Sequence, residues 1–259
     1  MIKRIREKLR KPPGRLVFAV LIVVFSTTGI FALYKIITTQ AGYTAAQQEY
    51  VELRQYAPPQ LDPQSQTQTI TNNDEPDREV TTIDENTASS FDLTGFNPDY
   101  IGWIRIDGTV IDYPVVQGAN NVKYERITFL GEKNSSGTIF MDSRSVDHFK
   151  GFSVLYGHNM RDGSMFADLH NFRDPDFVEV YRDIQIFTPD GELLLFNIMD
   201  IRIVIDSDSV LTLLDKGQSA ADEYFEKYEI TEDADILILS TCTYGAKDER
   251  LLIFAINYR

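Results

Sequence analysis

Asp235-Ile236-Leu237-Ile238-Leu239-Ser240-Thr241-Cys242 reads as a strand buried along most of its length. Four apolar residues, half of them β-branched, run without a polar interruption, and the run ends on small polar groups and the chain's only cysteine. A second apolar strand, Leu251 to Tyr258, follows closely, with Arg250 at its mouth. Upstream, Phe152-Ser153-Val154-Leu155-Tyr156-Gly157 runs into His158. A cysteine, a histidine and an arginine, each at the edge of a strand, are what a thiolate acyl-transfer site requires. The thiolate attacks a carbonyl, the imidazole moves a proton, and the guanidinium steadies the developing oxyanion.

Working outward, strands are predicted over 101–106, 110–116, 138–141, 153–156, 178–187, 192–205, 235–241 and 251–258. Asp107-Gly108 and Pro189-Asp190-Gly191 are turn signals, and the second makes a hairpin of its flanking strands. Helical segments are short: Met165 to Asn171, and Ser219 to Tyr228. Many strands with sparse short helices predict a mostly-β (α+β) domain closed as a barrel, starting near Phe91 and occupying 91–259.

Residues 1–15 form a basic head with seven Lys or Arg against one Glu. Leu16 to Tyr34 then carries no charge, and Lys35 closes the run. This length reaches the roughly 20 residues needed to span a bilayer, and no clean Ala-x-Ala cleavage site follows. The expectation is an uncleaved membrane anchor over 16–37, with the N-terminus cytoplasmic and the remainder exported. Residues 38–90 read as a juxtamembrane helix, Gln40 to Tyr56, and a flexible stalk. That stalk carries Pro58, Pro59, Pro63 and Pro76 among Gln, Thr, Asn and Asp, and so lacks the apolar surface to offset its ordering entropy.

Removing the head's seven basic and one acidic residues from 25 and 39 leaves 18 against 38, a net charge of −20. Such a surface excludes nucleic-acid binding through phosphates. One cysteine cannot form an internal disulfide, and a leftover thiol in an exported chain is inert, paired with another chain, or reactive. The strand-end position of Cys242 favours reactivity. Among the histidines, His148 and His170 sit in polar, exposed-looking segments, whereas His158 follows an apolar strand and precedes the turn-like Asn159-Met160-Arg161-Asp162-Gly163. No ligand spacing for a metal, no calcium loop and no glycine-rich phosphate loop is present, so no cofactor is expected.

At these residues the chain resembles the sortases, and within them the class B enzymes. Leu239-Ser240-Thr241-Cys242 matches the Leu-x-Thr-Cys signature. Tyr156-Gly157-His158-Asn159 followed by Gly163-Ser164-Met165-Phe166 is similar to the class B histidine block. Gly102-Trp103-Ile104, Asp112 to Gly118, Asn121 and Tyr124 are similar to its N-terminal strands, so the likeness runs in order from about Asn97 to Tyr258. The resemblance implies a closed β-barrel bearing a membrane-tethered cysteine transpeptidase on the outside of a Gram-positive cell. It implies Cys242 as nucleophile, His158 as acid and base, and Arg250 as oxyanion and substrate ligand. Asn121 and Ser240 fall where the family contacts the sorting-signal peptide, and Asp206 to Ile230 corresponds to the connection that reads it.

The implied reaction cleaves an Asn-Pro-x-Thr-like signal at its Thr and passes the protein to a peptidoglycan amine. A pilin polymerase using a pilin lysine, a thiol hydrolase, and a non-catalytic surface module that binds peptide are the alternatives. Two departures bear on motif preference: Glu125 stands where the family commonly has Leu, and Thr243-Tyr244-Gly245 stands where an acidic residue often follows the cysteine.

Overall fold

The computed structural model describes residues 14–59, 92–205, 234–245 and 248–258. The basic head up to residue 13, the stalk over 60–90 with residue 91 beyond it, and the connection 206–230 with its expected helix Ser219 to Tyr228 lie outside the described residues.

Eight strands close into one barrel: β1 (Tyr100–Ile106), β2 (Asp112–Val116), β3 (Ile139–Met141), β4 (Phe152–Tyr156), β5 (Asp183–Phe187), β6 (Leu193–Ile205), β7 (Ala234–Cys242) and β8 (Glu249–Tyr258). Around the barrel they run β1-β2-β3-β4-β7-β8-β6-β5, and β5 pairs back onto β1. The β2–β3 and β4–β7 pairs are parallel and the others antiparallel.

β7 sits between β4 and β8, and every residue from Ala234 to Thr241 is buried. A strand covered on both faces needs a continuous apolar run, which is what this one has. Along β6 the pattern alternates instead, with Leu194, Phe196 and Ile198 buried and Leu195, Asn197 and Met199 exposed, as a half-solvated strand demands. A bulge between Ile198 and Asp200 then re-aims its far end. The β5–β6 hairpin closes through Thr188 and Glu192, and Gly191 adopts the positive φ of 88° that the turn requires.

One expected element is corrected. The strand predicted over 178–187 begins only at Asp183, because Pro175–Val180 is a short helix, α2. Asp174 accepts a hydrogen bond from the Asp176 N–H as N-cap, and Pro175 fills the first turn. Those two residues outweigh the β-propensity of Phe177, Val178 and Val180. The helix expected at Met165 to Asn171 is a 3₁₀ segment, Ala167–Arg173, with Leu169 and Phe172 buried.

The N-terminal helix α1 runs unbroken from Gly14 to Leu53 and ends in a 3₁₀ turn, Arg54–Tyr56. It is long and apolar enough to cross a bilayer. Its last turns belong to the compact unit that holds the barrel, Ala46–Arg259. Ala46, Tyr50 and Leu53 are buried there. The Tyr50 hydroxyl donates to the Gly137 carbonyl at 2.5 Å, and its ring stands edge-on to Tyr113 with centroids 5.2 Å apart. Just beyond, the buried Arg105 guanidinium donates to the carbonyls of Pro58 and Pro59 at 2.6 and 3.0 Å and pairs with Asp112. The start of the proline-rich stretch is therefore held on the barrel.

Candidate functional site

Strand register assembles the site. In the parallel β4–β7 pair Tyr156 stands opposite Ser240, so His158 and Cys242, each two residues further on, leave the sheet level with one another. In the antiparallel β7–β8 pair Cys242 stands opposite Arg250, and the guanidinium Nη1 lies 3.9 Å from Sγ. Side chains two apart on a strand share a face. Cys242 and Ser240 thus continue the apolar row Ala234, Ile236, Ile238, and Arg250 continues Leu252, Phe254, Ile256. Cys242 and Arg250 stand at the polar end of a buried apolar cluster, with Tyr156 and Val204 packed against it.

Cys242 is the exposed last residue of a strand that is otherwise buried. His158 bonds the Glu125 carbonyl through Nε2 at 2.8 Å, so that nitrogen carries the proton. The sequence departure at Glu125 leaves this contact intact, since it uses the backbone. The histidine turn is packed closely from below. A Cβ at Gly157 would meet the Phe166 ring and the Ile139 side chain at 2.6 Å, and the Thr241 hydroxyl donates to the Gly157 carbonyl at 2.8 Å. The Tyr113 hydroxyl accepts from the Met165 N–H at 3.1 Å and holds the turn's far side.

Asn121 sits in the loop that leads to the 3₁₀ segment Lys123–Glu125. Its Nδ2 donates to Asp142 at 2.8 Å and its Oδ1 accepts from the Ser143 N–H at 2.8 Å, which fixes the amide's orientation. Ser240 is buried, and its hydroxyl finds no partner among the described residues. It stands next but one to Cys242, on the same side of β7. Thr243 donates its hydroxyl to the Glu249 carboxylate, so an acidic group reaches the end of β7 from β8 rather than from the residues after the cysteine.

Sequence reading passed over several groups. Asp142, at the end of β3, is fully buried and accepts from Arg144, Asn121 and the Tyr156 hydroxyl. Burial alone would raise its carboxyl. The Arg144 side chain and backbone N–H and the Tyr156 hydroxyl outweigh that and hold it below the usual carboxylate range. Burial, and next the Asp142 charge, push the Tyr156 phenol well above its ordinary value, so it stays a neutral donor. The expectation that His170 lies in an exposed polar segment is also corrected. It is half-buried, and its Nε2 lies 3.1 Å from the Cys242 carbonyl and 3.0 Å from Asn159 Nδ2. The 3₁₀ segment carries it there, which spacing alone does not announce. Among the described residues, no group of three or more His, Cys, Asp or Glu is arranged to hold a metal ion.

Comparison with known proteins identifies relatives of this chain. Residues 104–257 match the sortase domain family. The chain is 29% identical over 175 residues to sortase B of Staphylococcus aureus, covering 63% of this chain and 72% of that one. It is 44% identical over 88 residues to sortase B of Listeria monocytogenes, spanning 34% of this chain and about a third (36%) of that relative's length. It resembles the crystal structure of a Streptococcus pyogenes class B sortase involved in pilus biogenesis at 30% identity, with a TM-score of 0.58 over 64% of this chain and 96% of that one.

Proposed function

This chain belongs to the sortase family of cysteine transpeptidases, in its class B branch, and from that premise we propose that it joins secreted proteins to an amine at the cell surface. Cys242 is the nucleophile. As thiolate it attacks the carbonyl of a Thr within a short sorting signal of Asn-Pro-x-Thr type, and Arg250 steadies the tetrahedral oxyanion. His158, as imidazolium, protonates the departing amine, and a thioester remains on Cys242. An amine of the wall peptide then attacks the thioester while the imidazole accepts its proton. Asn121 and Ser240 contact the signal peptide.

One observation carries the reading. The two ladders that meet at β7 bring Arg250 to 3.9 Å from the thiol and set the strand that leads into His158 alongside the strand that ends in Cys242. The long apolar helix Gly14–Leu53, preceded by the basic head, supports a single-pass anchor with the N-terminus inside and the barrel outside. Likeness to a pilus-forming class B enzyme favours a second reading, in which the accepting amine is a pilin lysine.

Intact-mass analysis of the full chain in detergent, with a panel of sorting-motif peptides, tests the proposal. A thioester adduct on wild type but not on Cys242→Ala, released as amine-linked peptide when amine is added, is the expected result. Adduct resolved only to free acid would make the chain a hydrolase. No adduct from folded protein with any peptide would sink the reading and leave a peptide-binding module. Offering a wall-type peptide amine against a lysine-bearing pilin fragment separates the two acceptors.

A further inference from the structure

We infer that Asn159 and His170 clamp the backbone carbonyl of Cys242 and act as positioning residues for the nucleophile, an inference that rests on the transpeptidase reading above. In a parallel ladder the hydrogen bonds repeat every two residues. The Gly157 N–H donates to the Ser240 carbonyl at 3.2 Å, so the next rung in that direction would run from the N–H of residue 159 to the Cys242 carbonyl. The chain turns away before that rung. Asn159 bridges antiparallel to Met165, and the Phe166 N–H donates to the His158 carbonyl at 2.9 Å. The Asn159 side chain supplies the rung instead, with Nδ2 donating to the Cys242 carbonyl at 3.0 Å.

His170 completes the contact. An amide nitrogen has two hydrogens. With His170 neutral and its proton on Nδ1, one amide hydrogen goes to the carbonyl and the other to Nε2, 3.0 Å away. With a proton on Nε2, the ring itself donates to the Cys242 carbonyl across 3.1 Å. In either form the carbonyl of the nucleophile keeps a donor. His170 stands on the 3₁₀ segment whose Leu169 and Phe172 are buried, so its base is rigid. The Tyr244 hydroxyl donates to the Asn159 carbonyl at 2.9 Å, which ties the same residue to the loop after the cysteine. Asn159 is the immediate neighbour of His158. The clamp therefore joins the thiol-bearing and imidazole-bearing residues into one unit at the point where the β4–β7 ladder stops, and a reacting pair tolerates little displacement.

The test uses the full chain in detergent with Asn159→Ala, Asn159→Asp, His170→Leu and His170→Gln. Two readouts are taken: kcat and KM for acyl transfer from a sorting-motif peptide, and the rate of Cys242 alkylation by iodoacetamide, which needs no substrate. Asn159→Ala lowers kcat about tenfold with KM little changed, the size expected from losing one positioning hydrogen bond and the alignment it keeps. Asn159→Asp, unable to donate to a carbonyl, falls at least as far. His170→Leu loses about three- to fivefold. His170→Gln recovers most of it, because an amide both accepts from Asn159 and donates to the carbonyl. Alkylation rates follow the same order of departure from wild type, with melting temperatures within about 3 °C because both residues are half-exposed. A rise in KM at unchanged kcat, an Asn159→Asp enzyme equal to wild type, or a His170→Gln as impaired as His170→Leu overturns the inference. Wild type that alkylates normally but makes no thioester overturns the transpeptidase reading instead, and the alkylation series still judges the clamp.

Discussion

Replacing Tyr50 tests whether the end of α1 is a working part of the barrel unit. The side chain is 4% exposed, its ring meets Tyr113 edge-on, and its hydroxyl donates to the Gly137 carbonyl. Truncating a buried aromatic to alanine costs about 3–5 kcal/mol. Tyr50→Phe keeps the ring and loses only the hydrogen bond, at about 1–2 kcal/mol. In a domain of this size each kcal/mol moves Tm by about 2–4 °C, so Tyr50→Ala should lower it by about 6–20 °C and Tyr50→Phe by about 2–8 °C. If the segment comes off locally before the barrel melts, the loss appears first as faster amide exchange over residues 46–57. Either event frees Tyr113, whose hydroxyl receives the Met165 N–H, and releases Asp162 from Gln47. Both contacts hold the turn that follows His158, so kcat should fall with stability. Thermal melts, hydrogen exchange and peptide turnover on the three proteins provide the check. A Tyr50→Ala protein with Tm within about 2 °C of wild type and unchanged protection over 46–57 would refute the reasoning.

Arg250→Lys keeps the charge beside Cys242 but loses the planar fork, and kcat for acyl transfer should fall about 100-fold, with Arg250→Ala lower still; a lysine enzyme within threefold of wild type would rule out the guanidinium's role. Asp142 titrates below the ordinary carboxylate range, so the stability it contributes is complete above the unfolded value near pH ~3.9 and is lost as pH falls through the lower folded value. Urea melts from pH 7 down to about pH 2 should therefore show a steeper acid loss for wild type than for Asp142→Asn, and equal slopes would exclude it. Gly157→Ala forces a methyl to 2.6 Å from Phe166 and Ile139, and overpacking of this kind costs about 1–3 kcal/mol. Denaturant midpoints should register that loss together with slower turnover.

The barrel was legible because its strands carry their own evidence. β7 is a continuous apolar run because it is covered on both faces, and β6 alternates because one of its faces meets water. The boundary at Asp183 was missed because an N-cap and a proline, two residues in Asp174-Pro175, outweighed a β-like composition downstream. The strand-end places of Cys242, His158 and Arg250 were legible for a related reason: each stands where an apolar run breaks, and such a break is written in one dimension.

Asp142, Tyr156 and His170 were not legible as neighbours of the site, because their meaning depends on partners far along the chain. His170 reaches the Cys242 carbonyl across 72 residues, and Asn159 reaches it across 83. The sequence by itself determined where the strands lie to within a few residues in most cases, which of them have Cys242, His158 and Arg250 at or beside their ends, and which stretch is apolar enough to cross a membrane. Those are properties of local periodicity and burial, which each segment expresses alone. Only the tertiary structure decided the registers: that Tyr156 pairs with Ser240, that Cys242 pairs with Arg250, and that an asparagine side chain supplies the rung where the backbone turns away. Register is a relation between segments, settled by the joint packing of both faces and by loop closure, and no single stretch of residues contains it.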